Sequence, residues 1–426
     1  MRKSICMALV FCMLFALIPM AFAAEDEPVT ISFQTWNPGD GDLIHQIIDA
    51  FEAENPSITI DYIYMPYSDH IADMQIKMAS GEGPDVYGMQ AGVTYSTFRP
   101  FEENLTPYIT ETYGDGWESS FLTFCTNLLN EDGSYYGLPL GLTYAGLIWA
   151  DMSYFNKYGL SLPTNYDELA QVAQTFRDNG EYPLAIGAKD DWINIDMWMN
   201  IAGDINAEKL YAALDGEISF TDPELLQSFA IWQSLFTEGI VQDGALGVNM
   251  YCDTTDLFEK EASIPMITNG SWAAGLFVST DESTKANFQG EGADHQAFLL
   301  DWNNDGVSAG LAASIDVVLC MNTNCKNKDA AWKFIDFMIH YGQDVLINEG
   351  LQYFPSRTDL VLDVVGLNEN GLENLEFIIE NAQNNTRGYR EMGNADVKQA
   401  VADALKALAT NEMTPEEAAE SIDNAQ

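Results

Sequence analysis

Between residues 29 and 87 the hydrophobic pattern switches repeatedly between a period of two and a period near 3.6, which limits the fold more than any other feature. Val29, Ile31 and Phe33 alternate with polar residues, a strand that ends at Thr35-Trp36. Asn37-Pro38-Gly39-Asp40-Gly41 breaks it, and Ile44, Ile47, Ile48 and Phe51 then recur at helical spacing. Asn55-Pro56 stops that helix, and Ile58, Ile60 and Tyr62 form a second alternating run. Ile71, Met74 and Met78 make another helical stripe, Gly81-Glu82-Gly83-Pro84 ends it, and Asp85-Val86-Tyr87 opens a third strand. A β-α-β-α-β order predicts an α/β fold with a doubly wound, largely parallel sheet and helices on both faces. Such sheets take ligands at the carboxyl ends of their strands, so the loops at 36–42 and 89–94 are the first places to look for function.

Downstream, Asn165 with Glu168, and Thr414 with Pro415 and Glu417, read as helix starts of the capping-box type. Pro223 opens a helix carrying Leu226, Phe229, Trp232 and Phe236, with Gly239 placed to end it. The chain closes on two helical stretches, 396–409 and 415–425, and contains neither an internal repeat nor a low-complexity linker. At 426 residues it is long enough for two domains, and 47% apolar residues supply both cores.

Charge narrows the function. Eighteen Lys and Arg against 65 Asp and Glu give a net charge of −47, which repels phosphate backbones and anionic lipid headgroups and argues against nucleic-acid binding. The acids are spread along the chain, as expected of a solvated surface. Residues 1–24 read as a signal peptide: Arg2-Lys3, an apolar run over 5–22, then Ala21-Phe22-Ala23 before Glu25-Asp26-Glu27. An uncleaved membrane anchor is the alternative, since the run is just long enough to span. Phe11 precedes Cys12 where a lipid-attachment box needs a small residue, so no lipid anchor is expected. The reading is an exported protein, periplasmic or extracellular.

Beyond the leader four cysteines remain, Cys125, Cys252, Cys320 and Cys325, and in an oxidising compartment Cys320 and Cys325 could close a small loop. Buried free thiols fit equally, while the spacing of the cysteines and of His45, His70, His295 and His340 offers no metal motif. Hydrolase, zinc-protease, nucleotide and dinucleotide signatures are all missing. Asp301-Trp302-Asn303-Asn304-Asp305-Gly306 matches the first half of a calcium loop, but Ala312 stands where a bidentate Glu is needed, so a turn rich in Asx residues is the simpler reading. An Asp/Glu pair for glycoside cleavage stays open, although 65 acids make some pairing inevitable.

Tryptophans are more informative. Trp232 and Trp332 sit on helical stripes and read as core. Trp36, Trp192 and Trp272 instead lie beside Gly, Asn and Asp at the ends of elements. A flat indole matches the C–H face of a pyranose, and neighbouring amides and carboxylates match its hydroxyls.

Seven segments, in order, carry a resemblance: TISFQTW, AFEAENPSITIDYIYMP, ASGEGPDVYGMQAG, GSYYGLPLGLTYAGLIWADMSYFNKYGLSLPTNYDEL, LFEKEASIPMITNGSWAAG, NTNCKNKDAAWKFIDFM and EGLQYFPSRTDL. Together they resemble the extracellular solute-binding proteins of ATP-binding-cassette (ABC) importers, in the carbohydrate-binding group that includes maltose-binding protein. The resemblance implies a two-lobed periplasmic-binding-protein fold of type II. Each lobe would hold a mainly parallel sheet flanked by helices. Three hinge crossings are expected, near 139–143, 304–310 and 344–350. Lobe one would span 28–140 plus 308–345, and lobe two 141–307 plus 346–426. It implies a monomer that binds a carbohydrate, delivers it to the permease subunits of an ABC transporter, needs no cofactor and is not an enzyme; the alternative is a secreted carbohydrate-active enzyme using an Asp/Glu pair. Carried over residue by residue, Trp36, Asn37, Asp40 and Gln90 fall at cleft positions of lobe one, Thr143 and Tyr144 at the first crossing, and Trp192 and Trp272 at the aromatic platforms of lobe two. Asp85 reads as structural. Arg357 could reach the cleft or pair with surface acid. Ser308-Ala309-Gly310 and Tyr353-Phe354-Pro355 depart from the family pattern and alter the cleft's shape.

Overall fold

The alternating periods of the first 60 described residues become strands and helices in the expected order. The computed structural model describes residues 28–39 and 41–426; the proposed leader and Asp40 lie outside them. Among the described residues nine strands run β1 Val29–Thr35, β2 Ile58–Tyr64, β3 Val86–Met89, β4 Gly137–Ala145, β5 Leu147–Asp151, β6 Met266–Asn269, β7 His295–Phe298, β8 Leu311–Met321 and β9 Thr386–Tyr389.

β1 lies parallel to β2 and to β3, and helix Asp42–Glu54 turns Ile44, Ile47, Ile48 and Phe51 onto this sheet. Helix Tyr67–Ser80 buries Met74 and Met78 as expected, but the third member of its stripe is His70 rather than Ile71. A buried imidazole is tolerated because its Nε2 donates to the Gly88 carbonyl at 2.9 Å, satisfying a polar group that burial would otherwise penalise. Asp85 ties β1 to the start of β3: its carboxylate accepts from the Ser32 amide and hydroxyl at 3.0 and 2.9 Å, a structural role as read from the sequence.

Each of the two sheets also contains an antiparallel member, which hydrophobic periodicity does not reveal. The first sheet reads β2-β1-β3-β8-β4, with β8 antiparallel to both β3 and β4 and β9 parallel to the start of β8. The second reads β6-β5-β7, with β5 antiparallel to both neighbours. Parallel bridges from Ala185 to Ile267 and from Leu184 to Val241 extend it beyond β6. In each sheet, strands of one direction are therefore interrupted by a strand running the other way, β8 between β3 and β4 in the first and β5 between β6 and β7 in the second.

The chain passes from the first sheet to the second at Gly146, between β4 and β5, so the stretch 139–143 lies inside β4. It returns between β7 and β8, with 304–310 in that connection, and leaves again between helices Gln343–Asn348 and Glu369–Asn384. β9 then rejoins the first sheet, while helices Ala395–Ala409 and Pro415–Asp423 pack on Asp191–Leu214 and Pro223–Thr237 beside the second. Asn200 of helix Asp191–Leu214 fastens the β7–β8 passage at two points: its Nδ2 donates to the Gly310 carbonyl and its Oδ1 accepts from the Trp302 indole, both at 2.7 Å.

The helix starts follow the sequence signals. Thr414 and Glu417 form a reciprocal capping box, Asn165 caps Tyr166–Asp178, and Pro223 opens its helix behind Asp222. Trp232 is fully buried with Nε1 donating to the Leu405 carbonyl at 2.9 Å, and Trp332 is buried too. All four described cysteines are free: Cys320 points its Sγ toward Glu102, so the loop-closing bridge to Cys325 is not formed. In the calcium-like segment the Asp301 carboxylate accepts from the Asp305 and Gly306 amides at 3.0 and 2.6 Å, an Asx-type turn. Among the described residues no cluster of His, Cys, Asp and Glu is arranged to hold a metal, and no helix is long and apolar enough to cross a membrane.

Candidate functional site

The end of β1 supplies the first ring. Trp36 is half-buried and meets Tyr67 edge-on at a centroid distance of 5.1 Å, with the His70 ring 5.3 Å away. Burial holds the His70 imidazole neutral by lowering its pKa to about 4. The next residue, Asn37, donates from Nδ2 to Asp316 Oδ2 at 2.8 Å. Asp316 belongs to β8 at a slip in register: Gly141 of β4 pairs with Val317 and Leu142 with Ile315, leaving residue 316 opposite neither. Such irregularities re-aim a side chain next to a functional position.

Arg390, one residue beyond β9, connects these groups to the second sheet. The residue is only 6% exposed, and its guanidinium grips Asp196 with two bonds of 2.8 Å, while Nη1 lies 3.5 Å from Asp316 Oδ1. Its Cζ sits 4.8 Å from the Trp272 ring centroid and 5.7 Å from that of Trp192. Trp192 and Asp196 are four residues apart on helix Asp191–Leu214, which is why one guanidinium meets both. The two indoles lie 6.1 Å apart, and Tyr251 stacks on Trp192 at 5.7 Å and 17° with 42% of its surface exposed.

Gln90, 4% exposed after β3, completes the ring of polar contacts. In the amide orientation that satisfies every neighbour, its nitrogen donates to Glu391 Oε1 at 3.0 Å and its oxygen accepts from Arg390 Nη1 at 3.1 Å. Glu391 also receives Lys398 Nζ at 2.9 Å. Three carboxylates therefore surround two cations. Burial pushes the pKa of Asp196 and of Asp316 up, and the Arg390 charge opposes it in both. Burial also acts against the charge of Arg390, but the carboxylates around it outweigh that and hold it above the usual guanidinium range.

Trp36, Asn37, Gln90, Trp192 and Trp272 thus converge on Arg390 and its partners. Thr143 is fully buried in β4 opposite Ser314 and leaves its hydroxyl without a partner. Strand alternation sends Tyr144 to the other face, where it meets Phe354 edge-on at 5.4 Å. Arg357 stands apart: Asp359 takes its Nε and Nη2 at 2.9 and 2.7 Å, and the carbonyls of Ile339 and His340 take Nη1 at 3.2 Å each. Asp40 lies outside the described residues.

Sequence reasoning missed Tyr67, Asp196, Tyr251, Asp316, Arg390 and Glu391. The spacing of Trp192 and Asp196 was a usable signal for one of them. Arg390 meets Asp196 across 194 positions, beyond the reach of any local pattern. Chemically, the cluster offers flat apolar faces fixed by charge pairs, with amide and carboxylate groups at their edges, an arrangement suited to a ring bearing hydroxyls.

The model of the family described as bacterial extracellular solute-binding protein matches residues 35–343. A multiple sugar-binding protein of Streptococcus mutans is 22% identical over 326 residues, covering 75% of this chain and 73% of that protein. Among solved structures, one from a study of xylan utilisation by Caldanaerobius polysaccharolyticus superposes with a TM-score of 0.80 at 21% identity, covering 93% of this chain and 99% of that one. A chitin oligosaccharide binding protein superposes with a TM-score of 0.76 at 18% identity, over 93% and 98% of the two chains. These likenesses establish the shared fold.

Proposed function

The chain belongs to the bacterial extracellular solute-binding protein family, and from that premise we propose that it is the substrate-binding component of an ABC sugar importer. One lobe is built on the first sheet and the other on the second, a sugar or oligosaccharide is captured between them, and the closed form delivers it to the permease subunits. The protein acts as a monomer, exported by cleavage of residues 1–24, with no lipid anchor, no cofactor and no covalent chemistry on its guest. Closure is a hinge motion at the three passages, favoured by whatever the ligand touches on both lobes.

One observation carries this reading: Trp192 and Trp272 are fixed around Arg390, while from the other sheet Asn37 reaches the same charge network through Asp316 and Trp36 reaches it through Tyr67, whose hydroxyl is bonded to Gln90. A pyranose entering there would stack on an indole and hydrogen-bond to groups already held in place, so little ordering is left to do on binding. Trp36, Asn37, Gln90, Trp192 and Trp272 are the proposed ligand contacts; Asp40, expected among them from the family resemblance, lies outside the described residues. Tyr144 and Arg357 are left out of the set. The carboxylates nearest the rings are engaged by Arg390, Asn37 and Lys398, which supports binding rather than acid–base work.

The test is tryptophan fluorescence during titration with malto-, xylo- and chito-oligosaccharides, followed by chromatography of the mixture. The expected result is saturable quenching by at least one series with the saccharide recovered intact. Failure of every series to quench, or steady release of reducing ends, overturns the proposal.

A further inference from the structure

A second pocket lies away from the tryptophans. About 380 Å3 in volume, it is lined by Leu142 and Tyr144 of β4, by Leu122 and Phe124, and by Arg387 and Tyr389 of β9. Trp36, Trp192, Trp272 and Arg390 are not among its walls, and Thr143, between two wall residues, faces the other way. Three aromatic rings and two leucines make most of its surface apolar. Leu122 and Phe124 are each 36% exposed, so apolar area is left facing solvent.

Arg387 is the charged residue of this wall. Among the described residues it makes no ion pair and no side-chain hydrogen bond, although the chain carries 65 carboxylates. A guanidinium beside aromatic walls presents a planar fork suited to a carboxylate, and its attraction acts over the few ångströms that salt does not screen. The Tyr144 hydroxyl, raised to about 12 by burial, stays protonated beside it and adds no competing negative charge.

We propose that this pocket is a second ligand site, for a small planar aromatic carboxylate whose ring lies among Phe124, Tyr144 and Tyr389 and whose carboxylate pairs with Arg387. The site is independent of the saccharide reading, since it shares no contact residue with it.

The test is isothermal titration of the protein with trans-cinnamate, with cinnamamide and glucuronate as separate arms. One site per chain is expected for cinnamate, with a dissociation constant on the order of 1 mM or tighter. Arg387→Gln should weaken it at least about tenfold, and cinnamamide should bind the unaltered protein as weakly as cinnamate binds the variant. Arg387 is exposed and unpaired, so the variant should keep its thermal midpoint; Tyr144→Leu should weaken both probes by removing a ring. The proposal falls if cinnamate does not bind saturably, if the amide binds equally well, if Arg387→Gln changes nothing, or if glucuronate binds where cinnamate does not.

Discussion

Arg390 brings a positive charge into nearly complete burial, and its geometry shows what it holds: two bonds to Asp196, an approach to Asp316 and an indole on its face. Removing one partner of such a group leaves the others buried and uncompensated. Arg390→Met should therefore cost about 3–5 kcal/mol in urea unfolding, and adding Asp196→Asn should recover part of it. A loss below about 1 kcal/mol would show that the carboxylates do not depend on Arg390. His70 makes a prediction in pH. Its folded pKa of about 4 lies below the unfolded value, so both states are neutral above pH 6.5 and the unfolded state gains protons first as pH falls. Stability is then lost between pH 6.5 and about 4. Relative to His70→Gln, the unaltered protein should lose about 2 kcal/mol of its advantage between pH 7 and pH 5 by urea unfolding. A constant difference would contradict a neutral buried imidazole. At this scale Trp36, Trp192 and Trp272 were legible because their neighbours in sequence are turn formers, although Trp192 and Trp272 fall in the first turns of helices rather than in loops. Arg390 was not, because its partners are set by tertiary contact alone.

Elements are where the sequence spoke most clearly and where it fell silent on direction. Thr414 with Glu417 and Asn165 with Glu168 mark helix starts through bonds made within one turn, so the residues that specify them are adjacent. The antiparallel course of β8 depends on which strand it meets, and alternation of apolar residues is the same in either direction. Alternation did contain the separation of Thr143 from Tyr144, since neighbours on a strand face opposite ways. The β4–β5 joint carries a test. Gly146 has φ +104°, and a Cβ there would lie 2.4 Å from Asn200 Nδ2, whereas Gly244 at φ +79° has open space. Gly146→Ala should cost more than about 1 kcal/mol and clearly more than Gly244→Ala, measured by thermal or urea unfolding; equal costs would mean that Asn200 yields freely. The fold also leaves the four described thiols unpaired. Cys125, Cys252, Cys320 and Cys325 should all titrate as free in denaturant without reductant, and a missing pair would contradict their separation.

At the scale of the molecule, two sheets are joined by three passages, and Asn200 bonds the β7–β8 passage at Trp302 and Gly310 while packing against Gly146 of the β4–β5 passage. The β-α-β-α-β opening foretold the first sheet. The discontinuous make-up expected of each half was implied by the family resemblance alone, because composition and periodicity do not say which distant stretches share a sheet. The central claim is that saccharide is gripped by indoles drawn from both halves. It is tested most directly by following the indole N–H resonances of the nine tryptophans during a saccharide titration. Trp36, Trp192 and Trp272 should shift together along one binding curve while buried Trp149, Trp198 and Trp232 stay in place. Movement confined to other tryptophans, or no movement with a saccharide that demonstrably binds, would contradict it.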